Sequence, residues 1–333
     1  MIIAVINTQI YEESVNNAMG ANNVLLVSEK IITLFLILFA GVIAKKINII
    51  DRASTKKLSA LLLNVTQPLL IITSFQIAFD PEKLTNGLMI FALSAVIHIF
   101  TAFAVFWIYK PVKNTGHRKI YEMATIFCNC AFLGFPVLRV IFGDELGVFY
   151  GSFYAMFFNI FIWTYGVVLM TRGGSPRKFP VRKIFLNAGM TASVTAIILF
   201  AAEIKMPAVL FDSSKMVGDM TFPLSMIIVG SLIADIKLKE MILQLKNYYY
   251  IFVKLIFFPV FVALACYALK LPPLLIYMGA IMTAMPSAAN VAIFAETYNA
   301  DSKHAAIIVG LSTLFSAGTI PLIMYFLNNI LGI

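Results

Sequence analysis

Two stretches, CNCAFLG at positions 128–134 and ANVAIFA at positions 289–295, lie 161 residues apart and each set one asparagine among small and apolar residues. At the same offset LILFAG (36–41) falls on IILFAA (197–202), and Asn86, Ile90 and Phe91 fall on Asn247, Ile251 and Phe252. A fourth pair, NVTQPL from Asn64 and DMTFPL from Asp219, is offset by 155, as a loop shortened by six residues would leave it. Matches recurring at one offset near half the chain length point to an internal duplication. Duplicated membrane halves with paired helix interruptions mark secondary transporters, whose sites lie at those interruptions.

Composition agrees. The chain is 61% hydrophobic and 12% charged, with a mean hydropathy of +0.91, which excludes a soluble globule. Apolar runs recur at the roughly 20-residue length that crosses a bilayer. They predict ten helices at about 24–45, 54–78, 87–109, 118–142, 146–171, 181–203, 214–235, 247–269, 272–297 and 303–329. The residues before the first carry Glu12 and Glu13 and no basic stretch, so they do not read as a signal peptide.

The net charge of +9 is distributed by side rather than by patch, which argues against a nucleic-acid partner. Eighteen basic residues, among them Lys45, Arg52, Arg118, Lys119, Arg172, Arg182, Lys237 and Lys303, follow helices 1, 3, 5, 7 and 9, whereas only Lys83, Lys205, Lys215 and Lys270 occupy the opposite loops. The positive-inside rule then makes loop 172–183 cytoplasmic and puts both termini outside. Five helices per repeat is an odd number, so the halves are expected to be inverted: 1–170, a linker at 171–180, and 181–333. Cys128, Cys130 and Cys266 are too few for a disulfide framework, and no second Cys/His cluster completes a metal site.

Helices 4 and 9 are the expected site. Helix 4 carries Asn129 with a Gly134/Pro136 break just beyond it, and helix 9 carries Pro286, Ser287, Asn290 and Val291. Proline removes a backbone donor, and non-helical backbone at membrane depth persists only where protein or a cavity surrounds it. Two helices unwound near their asparagines would aim positive N-terminal ends at one point, with Asn serving as N-cap and as amide for a ligand. Neither CNCAFLGFP nor PSAANVAIFA contains an acid to balance those ends, so the balancing charge is expected on the substrate. That favours an anion, most simply a carboxylate.

NCAFLGFP (129–136) resembles the Asn-x-Gly-Phe-Leu-Gly-x-Pro signature of the auxin efflux carrier family, with Ala131 in place of the usual Gly. PSAANVAIFAETYNAD (286–301), followed by STLFSAGTIPL (312–322), resembles that family's second crossover region. The family includes plant PIN carriers and bacterial malate and malonate permeases. The resemblance implies an all-α polytopic membrane protein with a five-plus-five inverted repeat, similar to sodium/proton antiporter and bile-acid transporter folds. It further implies a scaffold of helices 1, 2, 6 and 7 that forms a homodimer, and an elevator-like transport domain of helices 3–5 and 8–10. It makes Asn129 and Asn290 the residues that hold the substrate carboxylate, with Cys130, Pro136, Pro286, Ser287 and Val291 beside them. The expected partners are a small organic anion, the bilayer of the cell membrane, and H+ or Na+ as candidate coupling ion; no cofactor is expected.

Asp219, Asn64 and His98 are the candidate coupling residues. Asp219 reads equally as an interfacial carboxylate about a turn and a half inside its span. A lone intramembrane His such as His98 is more often a bonded packing residue than a titrating one. Arg139 is expected to snorkel to the outer interface. Glu122, Lys254 and Glu296 are expected to reach headgroups or water, and Asn159, Thr164, Ser316 and Thr319 are candidate pocket residues. A sodium-coupled symporter of bile-acid type and a transporter-like sensor remain alternatives. A membrane enzyme is disfavoured by three scattered histidines without an HExxH motif or a paired intramembrane Asp. The topology is tested at Ser175: in a single-cysteine variant, Ser175→Cys should resist an impermeant thiol reagent in intact cells and react after permeabilisation, and strong labelling in intact cells would reverse the orientation.

Overall fold

A computed structural model describes residues 22–172, 187–234, 245–298 and 300–332. Most of the predicted linker, the expected start of helix 6, and Lys237 and Lys239 lie outside the described residues. The described chain is helical and contains no strand. Its helices are α1 (Asn22–Lys46), α2 (Arg52–Ser74), α3 (Pro81–Ile108), α4a (Thr115–Ile126), α4b (130–142), α5 (Leu146–Thr171), α6 (Ala188–Ala201), α7 (Ala208–Ala234), α8 (Lys246–Ala268), α9a (Pro273–Ala284), α9b (Asn290–Thr297) and α10 (Ser302–Ile330). Among them α2, α3, α5, α7, α8 and α10 are long and apolar enough to cross a membrane.

Local chemistry sets the ends. Asp51, Asp80, Asn114, Asn187 and Asp301 each cap a helix by accepting a backbone N–H of the first turn, at 2.6–3.0 Å. The Asp80 cap with Pro81 behind it starts α3 at residue 81 rather than 87. α2 stops at Ser74 rather than 78, because Gln76 turns away to accept the Met206 N–H at 2.8 Å. α7 starts at Ala208, directly after Pro207, so Asp219 lies about three turns into it rather than a turn and a half. Gly143, with φ +83, makes the turn between α4b and α5 in a region that residues bearing a Cβ rarely enter.

Three prolines share one local solution. Pro68, Pro136 and Pro259 each follow by two residues a π-helical turn, at Leu62–Thr66, Cys130–Gly134 and Val253–Phe257. A proline ring clashes with the carbonyl four residues back and offers it no N–H, and the wider turn relieves both defects without ending the helix.

Packing pairs α1 with α7, α2 with α6 and α7, α3 with α5, and α8 with α9a. α1 and α7 meet through reciprocal glycines. A Cβ on Gly41 would strike the backbone of Ile227, and one on Gly230 would strike the Leu38 carbonyl, so only hydrogen permits this approach. The outer surface is apolar: Ile32, Leu36, Phe39 and Ile43 form an exposed stripe along α1, as a lipid-facing helix requires. Within the interior, the matching residues of the two T-x-P motifs meet, Thr221 Oγ1 donating to Thr66 Oγ1 at 2.9 Å.

Loops predicted to share a side also touch. Arg52 pairs with Glu296 at 3.8 Å, His117 with Asp301 at 3.4 Å, and Lys119 with the Arg172 carbonyl. Of the opposite loops, Lys205 reaches the Ile77 carbonyl. Gly230→Val should force α1 and α7 apart and lower stability by about 1–3 kcal/mol or more, read as a lower unfolding midpoint of the purified protein in detergent.

Candidate functional site

The site begins where α4 and α9 fail to continue. α4a ends at Ile126 and Phe127 turns extended (φ −99, ψ 103); α9a ends at Ala284 and Met285 turns extended (φ −60, ψ 143). The two breaks then satisfy each other. Asn129 N–H donates to Pro286 O at 2.7 Å and Ala288 N–H donates to Phe127 O at 2.9 Å, forming an antiparallel bridge centred on Cys128 and Ser287. Phe127 and Ala288 are themselves matching positions at the 161-residue offset. Extended backbone inside an apolar bundle is thereby left with few unpaired polar groups.

Each half-helix end is then finished separately. Asn129 is the N-cap of α4b, as expected, its Oδ1 accepting the Phe132 N–H at 3.1 Å. Asn290 departs from the expectation: Ala289 holds the N-cap position and Asn290 is the first residue of α9b, half-buried, with no side-chain cap bond. Pro136 also departs from it. The break lies at 127–129, before the Gly134/Pro136 pair, and Pro136 lies within α4b, just past the π-helical turn Cys130–Gly134 that accommodates it.

A small open cavity lies against both breaks. Residues 128–132 of the first and 288–290 of the second line it, with Leu63 of α2 and Phe158 of α5. Of the predicted substrate residues, Asn129, Cys130 and Asn290 reach this cavity; Val291, Pro136, Pro286 and Ser287 are buried beside it and do not line it. Ser287 is wholly committed to the frame. Its N–H donates to Ser312 Oγ at 3.1 Å, its hydroxyl donates to Ala124 O at 2.7 Å, and the Tyr250 hydroxyl hydrogen-bonds Ser287 Oγ.

The coupling candidates scatter. Asn64 is exposed and its amide donates to Ala60 O of its own helix at 2.8 Å. Asp219 accepts from Arg139 Nη1 at 2.8 Å and lies 3.5 Å from Lys215, so its charge is already matched. Arg139 does not simply snorkel; it also bonds Asp144 at 2.6 Å and lies 4.4 Å from the Phe222 ring centroid. That hydrogen bond is the main cause holding the Asp144 carboxyl below its usual range. His98 is buried among Phe127, Tyr154, Phe157, Phe158 and Phe161, with Nδ1 bonded to the Ser94 carbonyl at 2.7 Å. Asn159, Thr164 and Ser316 bond back to their own helices, and none of them lines the cavity.

Two ionisable residues expected at water are buried instead. Glu122 is 1% exposed, held by Arg118 at 2.7 Å and Arg172 at 2.9 Å. Lys254 is 2% exposed and donates to the carbonyls of Thr125 and Thr283, each at 3.2 Å. A signal for this was present: Asn247, Tyr250 and Lys254 fall at helical spacing on one buried face of an otherwise apolar span.

A family model described as membrane transport protein matches residues 26–324. No curated protein matches the chain. Ser287→Ala should leave the Ala124 carbonyl and the Tyr250 hydroxyl short of a partner and cost roughly 1–3 kcal/mol, seen as a lowered unfolding midpoint; an unchanged midpoint would remove Ser287 from the frame.

Proposed function

Since the chain belongs to the membrane transport protein family, that of the auxin efflux carriers, we propose that it carries a small organic anion across the cell membrane at the cavity beside the two breaks. One observation carries the reading. Two helix breaks bond to each other and bring Asn129, Asn290 and the N-terminal ends of α4b and α9b to one cavity, whose lining residues include no acid. N-terminal ends favour negative charge, and an Asn amide donates to a carboxylate oxygen, so the site suits a carboxylate better than a cation.

The cycle we infer is an elevator on ten spans arranged as an inverted five-plus-five repeat. The 161-residue offset supports the repeat, as do the contacts between Thr66 and Thr221 and between Phe127 and Ala288. The scaffold would be α1, α2, α6 and α7, which pack on one another through glycine contacts and the threonine pair. The apolar outer faces of α1 and α7, including Val209 and Met216, suit lipid or a second copy of the chain. α3–α5 and α8–α10 would move together, carrying the cavity with them.

The reading is tested by a thermal-shift screen of the purified protein against organic acids, including malate, malonate and indole-3-acetate, each with and without sodium. At least one acid should raise the midpoint without sodium; stabilisation that requires sodium would favour the symporter alternative, and no response to any acid would sink the anion reading. For an acid that binds, Asn129→Ala or Asn290→Ala should cost roughly 1.5–3 kcal/mol, about 10–150-fold in affinity. Asn129→Asp should be worse than Ala, because it sets a fixed negative charge where the carboxylate must sit.

A further inference from the structure

Lys254 lies in the π-helical turn Val253–Phe257 of α8, inside the bundle, where an ammonium has exchanged water for protein. Among the described residues its Nζ donates to two carbonyls, Thr125 O and Thr283 O, both at 3.2 Å. These are equivalent atoms in a precise sense of position: Thr125 is the last residue but one of α4a, and Thr283 the last but one of α9a. One cation thus bridges the C-terminal ends of both first half-helices, α4a and α9a.

Helix ends carry roughly half an elementary charge each, negative at the C-terminus and positive at the N-terminus. Four such ends meet at the breaks and, left alone, would nearly cancel. A carboxylate entering the cavity would then feel two attractive ends and, a few ångströms further, two repulsive ones. The Lys254 ammonium offsets the repulsive pair, so the assembly nets about one positive charge. Carbonyl oxygens at a helix C-terminus also supply the acceptors that a buried ammonium needs in place of water.

We propose that Lys254 sets the charge preference of the site: it cancels the C-terminal ends of α4a and α9a and so leaves the N-terminal ends of α4b and α9b free to select an anion. This rests on the proposed anion reading and names the residue that decides it. Lys254 touches the half-helix ends and not the cavity, so it is a positioning and selectivity residue rather than a ligand.

The test compares each acid with its neutral amide, indole-3-acetate against indole-3-acetamide and malonate against malonamide, by calorimetric affinity on the full chain in detergent. Wild type should prefer the acid. Lys254→Gln retains a donor for the carbonyls without the charge, Lys254→Met removes both, and Lys254→Arg retains both. The acid-over-amide ratio should fall by at least about tenfold in the Gln and Met variants and stay near wild type in the Arg variant. A merely structural lysine would lower the midpoint and weaken acid and amide alike, leaving the ratio unchanged. An unchanged ratio in either folded neutral variant, or failure of both to fold, overturns the assignment while leaving a wild-type preference for acids intact. A wild type with no acid preference overturns the anion reading and this inference with it.

Discussion

Backbone polar groups cannot be left unpaired inside an apolar bundle, and the rest of the site follows from how this chain meets that demand at two helix breaks. Neither break is self-sufficient. Phe127 O needs the Ala288 N–H, and Pro286 O takes the Asn129 N–H, so each interruption is tolerable only because the other lies across it. Pro286 is suited to its place: it cannot donate, and at that position only its carbonyl is used.

Once the breaks are paired, the polar residues around them sort by which debt they settle. Ser287, Ser312 and Tyr250 hold the second break in register against the end of α4a. Lys254 attends to the carbonyls that the two first halves leave behind, and Asn129 to the first N–H groups of α4b. Asn290 makes no cap bond and faces the cavity. The two asparagines therefore stand at matching sequence positions and both line the cavity, but differ in local duty: the Asn129 amide oxygen caps α4b, whereas Asn290 makes no cap bond.

Around this centre the charged residues are matched rather than poised. Arg139 ties α4b to Asp219 of α7 and to Asp144, and Glu122 is clamped by Arg118 and Arg172. The Asp301 carboxyl is held below its usual range chiefly by the His304 backbone N–H it caps. Such pairs let charged side chains persist near or within an apolar medium. They also bridge separate elements: α4b to α7, and α4a to the end of α5.

The all-helical membrane class, the alternation of basic loops and the two interrupted helices were legible in the chain, because each depends on local quantities: hydropathy over about 20 residues, side-chain charge, and proline or asparagine inside an apolar run. The family was legible in NCAFLGFP and PSAANVAIFA for the same reason. Where each break would fall was not, since Gly134 and Pro136 can sit at a π-helical turn inside a helix as easily as in a gap, and only pairing with Pro286 and Ala288 selects 127–129. Lys254 shows the limit most clearly. Its depth along α8 suggested escape to water, but an ammonium goes where acceptors are densest, and the carbonyls of Thr125 and Thr283 come together only in the folded bundle: Thr125 lies 129 residues before Lys254, and Thr283 29 after it. Local sequence determined which segments are helical and where they weaken; tertiary contact decided which weakened ends face each other, because a backbone group left unpaired by one break finds its partner only in the other.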